Sequence, residues 1–295
     1  MDSSLSLIPA LPPVFIGNFR SGTTLVANLL GFHDSLAPWY ETKGFCEALR
    51  WIRVLERPET LPFESRLTQP RDLPEFTPEA VAERMLEDFR ETFARLRGDI
   101  PSGKGVHEFY PLGHDRVAYG LTDAEAAVDR WLGRVERDPS LPVIRSSTGE
   151  LVRHLGVLHA AKSARPVWVN KTPEIPRFGH ELRGCVGPCR IVMMMRESQA
   201  VVRSAVSLGW AEAEEIAGWC QGMVNEARTA GREDPDNYLE LHYEALLREP
   251  VATMNTLLEF IGVSPMGEVL LERYEASLPP GGRSLRGDVL RQGQV

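Results

Sequence analysis

Eight consecutive residues, Gly17-Asn18-Phe19-Arg20-Ser21-Gly22-Thr23-Thr24, combine the backbone freedom and the donors that an anion site requires. An apolar run from Val14 to Ile16 precedes them and Leu25-Val26-Ala27-Asn28-Leu29-Leu30 follows, so the segment reads as strand, loop, helix. Glycine lets the chain turn tightly enough for successive N–H groups to face one anion, and a helix N-terminus adds partial positive charge. The hydroxyls of Ser21, Thr23 and Thr24 supply further donors. The triphosphate-binding loop has the form G-x4-G-K-[ST]. Here the glycine spacing and the final threonine agree, but Thr23 stands at the lysine position and Arg20 brings the cation three residues earlier. A kinase or ATPase uses that lysine on its β- and γ-phosphates. The loop therefore predicts an anion other than a triphosphate, and a P-loop small-molecule kinase is the rival reading.

Other residues could complete a site. Arg196 lies just past the apolar run Arg190 to Met195, and Ser204 comes eight residues later in a helical pattern. An arginine at a strand end and a serine two turns into the next helix can converge on one phosphate, with the guanidinium as a forked, permanently charged donor. Lys171, in Asn170-Lys171-Thr172-Pro173, directly follows the strand Pro166 to Val169, where an ammonium can donate to a bridging oxygen. Glu41 sits in Trp39-Tyr40-Glu41-Thr42-Lys43, and aromatic neighbours that desolvate a carboxylate make it a better base. His33 and His107 are alternative bases without a motif around them, and His33-Asp34 more simply ends the first helix. Trp39, Tyr40, Phe45 and Trp51 hint at an apolar or aromatic acceptor.

The elements that would position these residues are short apolar strands alternating with helices. Strands are expected at Val14 to Ile16, at 166–169, at Arg190 to Met195 and at Tyr238 to Tyr243. Helices are expected at 199–208, 211–229 and 251–261. That alternation predicts an α/β fold, a P-loop-type parallel sheet covered on both faces, with ligands beyond the carboxyl ends of the strands. Prolines at 58, 62, 70 and 74 mark an extended connection. Thr77-Pro78-Glu79 opens a helix, and Thr122 with Glu125 and Ser147 with Glu150 are capping-box patterns for two more. The chain is expected to be one domain, 1–295, with a mainly helical insertion over about 60–165 that shapes the acceptor site.

Composition narrows the function classes. With 43% hydrophobic and 25% charged residues the chain is globular, and a net charge of −8 is a poor match to nucleic acid. The four cysteines are too few for a disulfide framework, and the Cys185/Cys189 pair has no partners to complete a zinc set, so no metal is expected. No apolar run is long enough to span a membrane, and the first thirteen residues lack the basic region of a signal peptide, so a cytoplasmic protein is expected.

Phe19-Arg20-Ser21-Gly22-Thr23-Thr24-Leu25 resembles the R-S-G-T-T-L loop of sulfotransferases that use 3′-phosphoadenosine 5′-phosphosulfate (PAPS). The resemblance implies that Arg20, Ser21, Gly22, Thr23 and Thr24 hold the 5′-phosphosulfate. Met195-Arg196-Glu197-Ser198-Gln199-Ala200-Val201-Val202-Arg203-Ser204 is similar to the family's R-D-P-R-x-x-x-x-S element, which implies that Arg196 and Ser204 hold the 3′-phosphate. Glu197, Ser198 and Gln199 depart from that pattern. Glu41-Thr42-Lys43 and Asn170-Lys171-Thr172-Pro173 resemble elements of the tyrosylprotein sulfotransferase branch. They imply Glu41 as general base and Lys171 on the transferred group, with Lys43 in place of that branch's arginine. Tyr243-Glu244-Ala245-Leu246 and Pro250 resemble a structural strand-and-turn element, and the basic run Gly281 to Gly287 a late loop that closes the 3′-phosphate site. The implied function is transfer of a sulfuryl group from PAPS to the hydroxyl of a small molecule, with an aromatic or lipid-like body as the expected acceptor. A non-catalytic binder of adenosine 3′,5′-bisphosphate would need neither Glu41 nor Lys171, and both are present.

Overall fold

Val14, Phe15, Ile16 and Gly17 carry no polar side chain, and as strand β1 (Val14–Gly17) all four are buried, which is the pattern of a central strand covered on both faces. The computed structural model describes residues 11–40, 42–60, 80, 83, 87, 119, 121–279 and 285. β1 pairs in parallel with β3 (Val167–Lys171) and with β4 (Arg190–Met195), which pairs in parallel with β5 (Tyr238–His242). With β2 (Leu36–Tyr40) outermost, the described residues form a five-stranded sheet in the order β2-β3-β1-β4-β5. β2 and β3 are separated in sequence by helices, as are β3 and β4. The fold is thus the expected α/β arrangement, a parallel sheet flanked by helices.

Ten α-helices have described bounds: α1 (Thr23–Leu30), α2 (Lys43–Glu56), α3 (Leu121–Arg137), α4 (Leu141–Lys162), α5 (Gly179–Val186), α6 (Ser198–Val206), α7 (Ala213–Glu233), α8 (Tyr243–Arg248), α9 (Pro250–Ile261) and α10 (Gly267–Ala276). The chain divides into two compact units, one of Met1–Pro38, Ser163–Arg177 and Cys189–Val295, the other of Trp39–Lys162 and Phe178–Pro188. None of the described helices is long and apolar enough to cross a membrane.

The first unit holds most of the sheet. Alternation along a strand sends Val14 and Ile16 to one face and Phe15 to the other. Val14, Ile16, Val192 and Met194 pack with Val26 and Leu29 of α1 and Leu257 and Ile261 of α9, all fully buried. Each such side chain contributes about 1.5–3 kcal/mol through burial. On the other face Phe15 meets Trp168 edge to face at 5.5 Å. A smaller cluster joins Phe19 to Val201 and Ala205 of α6 and Ile216 of α7, which ties the candidate loop to the helix that carries Ser204.

The second unit is helical. In its interior Arg53 of α2 donates to both carboxylate oxygens of Glu181 on α5, at 2.9 and 3.0 Å, and lies over the Phe178 ring at 4.4 Å. Arg57 adds a contact at 3.3 Å. Burial pushes the Glu181 carboxyl up, but the hydrogen bonds and charge of Arg53, with Arg57 behind, outweigh it and hold the group below its ordinary value. α4 packs against α5 so closely that a Cβ on Gly149 would run into the Cys185 carbonyl.

Several boundaries differ from the sequence expectation. Ser147 does not start a helix: α4 begins at Leu141, after a turn in which Ser140 N–H donates to Asp138 at 3.0 Å, with Pro142 in the first turn. Ser147 is instead a buried mid-helix residue. β2 was not expected, because Pro38 interrupts a five-residue run; at the sheet edge a proline removes no ladder bond that the sheet needs. The helix expected from Thr77 falls almost wholly outside the described residues. Cys46, Cys185, Cys189 and Cys220 are buried and stand outside any disulfide.

Candidate functional site

The loop after β1 is folded by contacts that demand its particular residues. A Cβ on Gly17 would lie 2.3 Å from Pro176 Cδ and 2.6 Å from the carbonyl oxygens of Thr172 and Pro173, so the segment after β3 crosses directly over this glycine. Asn18 N–H donates to the Pro173 carbonyl at 2.7 Å, and its side-chain amide donates to the Met194 carbonyl at 2.7 Å, which ties the loop to the ends of β3 and β4. Asn18, Arg20 and Gly22 have φ of 104°, 53° and 83°. Asparagine and glycine enter this region at little cost, whereas for Arg20 it is held by its surroundings. No side chain caps α1 at Gly22, so the helix start presents backbone donors rather than its own acceptor.

Two cations meet at this loop. Arg20 Nε donates to Ser204 Oγ at 2.9 Å, and Arg196 Nη1 donates to the carbonyl of Arg20 at 2.8 Å. The guanidinium of Arg196 lies 4.7 Å over the Tyr243 ring, and that of Arg20 lies 5.8 Å from the Trp210 ring. Ser204 sits in the last turn of the nine-residue α6. Glu197 fixes the start of that helix by accepting from the N–H groups of Gln199 and Ala200, at 3.2 and 3.0 Å, while its own N–H donates to Glu244 at 2.9 Å. Of the remaining loop residues, Ser21 is fully buried and its hydroxyl donates to the Phe19 carbonyl at 3.2 Å, Thr23 is buried and Thr24 is exposed.

Lys171 is the last residue of β3, not the first beyond it, and lies opposite Ile16 of β1, so it reaches the same carboxyl edge as the loop. It is 2% exposed. The next residue, Thr172, donates its N–H to the Ile16 carbonyl at 3.1 Å and its hydroxyl to Asn170 at 2.9 Å.

Of the three candidate bases only His33 falls among the described residues. His33 is buried; its Nδ1 accepts from Ser35 N–H at 3.0 Å, which leaves Nε2 to donate to the Ser264 carbonyl at 3.2 Å. One ring nitrogen serves the turn after α1 and the other the loop between α9 and α10. Glu41, His107 and, apart from Leu285, the basic run Gly281 to Gly287 lie outside the described residues. Trp39, Tyr40 and Phe45, read above as acceptor hints, are buried, Trp39 stacked on His159 in the second unit. The exposed large apolar residues among those described are Val206, Leu208 and Trp210, in the turn directly after Ser204.

Residues 12–266 match the model of the sulfotransferase family. The chain belongs to that family. Solved sulfotransferases with a similar fold include the sulfotransferase domain of the olefin synthase of Synechococcus PCC 7002, at 18% identity and a TM-score of 0.46 over 89% of this chain and 77% of that one. Another is sulfotransferase STF9 of Mycobacterium avium, at 16% and 0.48 over 92% and 69%. A third is STF1 of Mycobacterium tuberculosis H37Rv, at 18% and 0.45 over 95% and 76%. No curated protein matches the sequence. Around the loop of this sulfotransferase, sequence reasoning did not single out Tyr243, which was read only as part of a structural turn, or Trp210, which carries no motif of its own.

Proposed function

We propose that this sulfotransferase takes its sulfuryl group from PAPS and passes it to the hydroxyl of a small molecule by direct in-line transfer. The observation that carries this reading is the joining of Arg20, Arg196 and Ser204 in one hydrogen-bonded cluster at a glycine loop that lacks the triphosphate-binding lysine. The donor set is cationic and hydroxylic, which suits a phosphate and a phosphosulfate. The backbone of Ser21 to Thr24 with Arg20 would hold the 5′-phosphosulfate, and Arg196 with Ser204 the 3′-phosphate. PAPS, when bound, supplies a sulfuryl group on a good phosphate leaving group.

The residues' parts follow from the charge that moves. As the acceptor oxygen bonds to sulfur and the bond from sulfur to the bridging phosphate oxygen breaks, the acceptor proton goes to Glu41 and negative charge grows on the leaving phosphate. Lys171 and Arg20 stabilise that charge, and the products are the sulfated acceptor and adenosine 3′,5′-bisphosphate. The role of Glu41 rests on the resemblance of Glu41-Thr42-Lys43 to the tyrosylprotein branch. An acceptor with an apolar or aromatic body fits the exposed Leu208 and Trp210 better than a sugar does, because Trp210 stands beside Arg20. If sugar hydroxyls were turned over faster than phenols or alkanols, that assignment would fall. A cytoplasmic setting goes with such an acceptor.

The donor assignment is tested by calorimetric titration with adenosine 3′,5′-bisphosphate, beside ATP with magnesium, on the wild type and Arg196→Ala. The bisphosphate should bind the wild type and lose about a hundredfold in affinity with Arg196→Ala, since a charge-assisted pair to phosphate is lost. Binding of ATP but not of the bisphosphate would return the loop to the kinases.

A further inference from the structure

The strap that follows β3, residues 172–177, crosses the anion loop and ends in a buried ion pair. Thr172 N–H donates to the Ile16 carbonyl at 3.1 Å and Asn18 N–H to the Pro173 carbonyl at 2.7 Å, so the strap is bonded to the chain on both sides of Gly17. Pro176 packs on Gly17 so closely that a Cβ there would lie 2.3 Å from its Cδ. Ile175 N–H donates back to Thr172 at 3.2 Å and Arg177 N–H back to Glu174 at 3.3 Å, which winds the strap into tight turns. The side chain of Arg177 is fully buried. Its Nε donates to one carboxylate oxygen of Glu226 at 2.6 Å and its Nη2 to the other at 3.3 Å. Glu226 stands on α7, the helix that also places Ile216, Cys220 and Met223 in the cluster around Phe19 of the loop.

We propose that Arg177 and Glu226 are positioning residues for the transfer: their ion pair clamps the strap 172–177 to α7 and so holds Lys171 and the loop at Gly17 in one register. This rests on the reading of Lys171 as the group that acts on the bridging oxygen. Lys171 directly precedes the strap and Asn18 is bonded to it, so a strap that lifts displaces both. Pro173 and Pro176 have no N–H, which leaves the strap few backbone donors with which to hold itself down. The guanidinium supplies what they lack, because two donors in a rigid fork fix distance and direction together, whereas an apolar contact can slide. The clamp is also sensitive to its partner. A buried guanidinium deprived of its carboxylate recovers hydration only by moving towards water, and here that movement lifts the strap.

The test changes Glu226, which is 31% exposed and leaves no core cavity when it is shortened. Affinity for adenosine 3′,5′-bisphosphate should fall about tenfold in Glu226→Ala, since a small displacement of a charged contact is costly. In Glu226→Gln, whose amide oxygen still accepts one bond from Arg177, the loss should be about threefold. In a Lys171→Ala background the Glu226→Ala loss should shrink to about threefold or less, because the clamp acts in large part through that lysine. A pair that merely stabilised the fold would lower the melting temperature in both backgrounds and leave the affinity of the folded protein unchanged.

A ligand-free readout separates this inference from the donor assignment. Hydrogen exchange at the Asn18 amide, which the Pro173 carbonyl of the strap protects, should quicken about tenfold or more in Glu226→Ala relative to the amides at the centre of β4. Glu226→Gln should show the same change to a smaller degree, and it carries the test if Glu226→Ala does not fold. If the wild type failed to bind the bisphosphate while Asn18 behaved as stated, the donor reading alone would fall. Unaltered exchange at Asn18, exchange that rises equally in β4, or an affinity loss as large in the Lys171→Ala background as in the wild type would overturn the clamp.

Discussion

Replacing Lys171 with alanine should lower kcat by about 10²–10³-fold and weaken the binding of adenosine 3′,5′-bisphosphate as well. Lys171 is the last residue of β3, opposite Ile16, and 2% exposed. A lysine placed there keeps its ammonium out of bulk water, where its interaction with a charge that develops during transfer is much stronger than at a surface. The former bridging oxygen stays on the 5′-phosphate of the product bisphosphate with the charge it gained in transfer, so loss of a group that acts on it appears both in the rate and in product affinity. Lys171→Arg should not restore the rate, since the planar guanidinium does not fit a pocket shaped for a compact ammonium. Glu41→Gln provides the contrast. It too lowers kcat, but it also removes the acid limb of the pH–rate profile, because the group whose deprotonation that limb reports is gone. Steady-state kinetics with the bisphosphate titrated in parallel, on variants whose melting temperatures match the wild type, decide the matter. A Lys171→Ala enzyme within about threefold of wild-type kcat would make this lysine a buried structural residue.

How far the sequence reached depends on the range of the interaction concerned. β4 appears at the bounds its apolar run indicates, Arg190–Met195, because a buried parallel strand is a local pattern. The β1 loop and the start of α1 were legible for the same reason. β2 was not, since Pro38 suppresses the strand signal and only pairing at the sheet edge restores it. Lys171 was expected just beyond its strand, but β1 continues to pair as far as Ile16 and draws Asn170 and Lys171 into β3. The aromatic hints rest on residue type alone, and Trp51 is half-buried. Trp39, Tyr40 and Phe45 look the same in sequence whether they line a pocket or fill a core, and burial shows them to fill a core. The contacts that build the site, Arg20 to Ser204 and Arg196 to Arg20, join residues 184 and 176 positions apart. Motif resemblance could name those residues, but it could not show that the two arginines brace one another or that Tyr243 lies under both Gly22 and Arg196.

In the helical unit, Arg53→Ala should destabilise the protein by about 3–5 kcal/mol, because it strands a carboxylate that the fold has taken out of water. The Glu181 side chain is fully buried and Arg53 is 6% exposed, so neither ion recovers its hydration when the other is removed. Arg57 remains at 3.3 Å, but its side chain is 44% exposed and a screened, mobile partner replaces little of the loss. The pH dependence gives the sign. Because Glu181 titrates below its ordinary value in the folded wild type, its contribution is fully present above the carboxylate's unfolded pKa and is lost as pH falls through the folded one. In Arg53→Ala burial dominates and the folded pKa rises instead, so protonation relieves the penalty as pH falls. The stability gap between wild type and variant should therefore be widest near neutral pH and narrow steadily towards pH 4. Arg53→Leu combined with Glu181→Leu should recover most of the loss, since an apolar pair of similar volume needs no hydration to begin with. Chemical denaturation at several pH values measures both effects. A gap that stayed constant with pH would locate the damage in the lost packing of Arg53 on Phe178, 4.4 Å away, and not in the stranded charge.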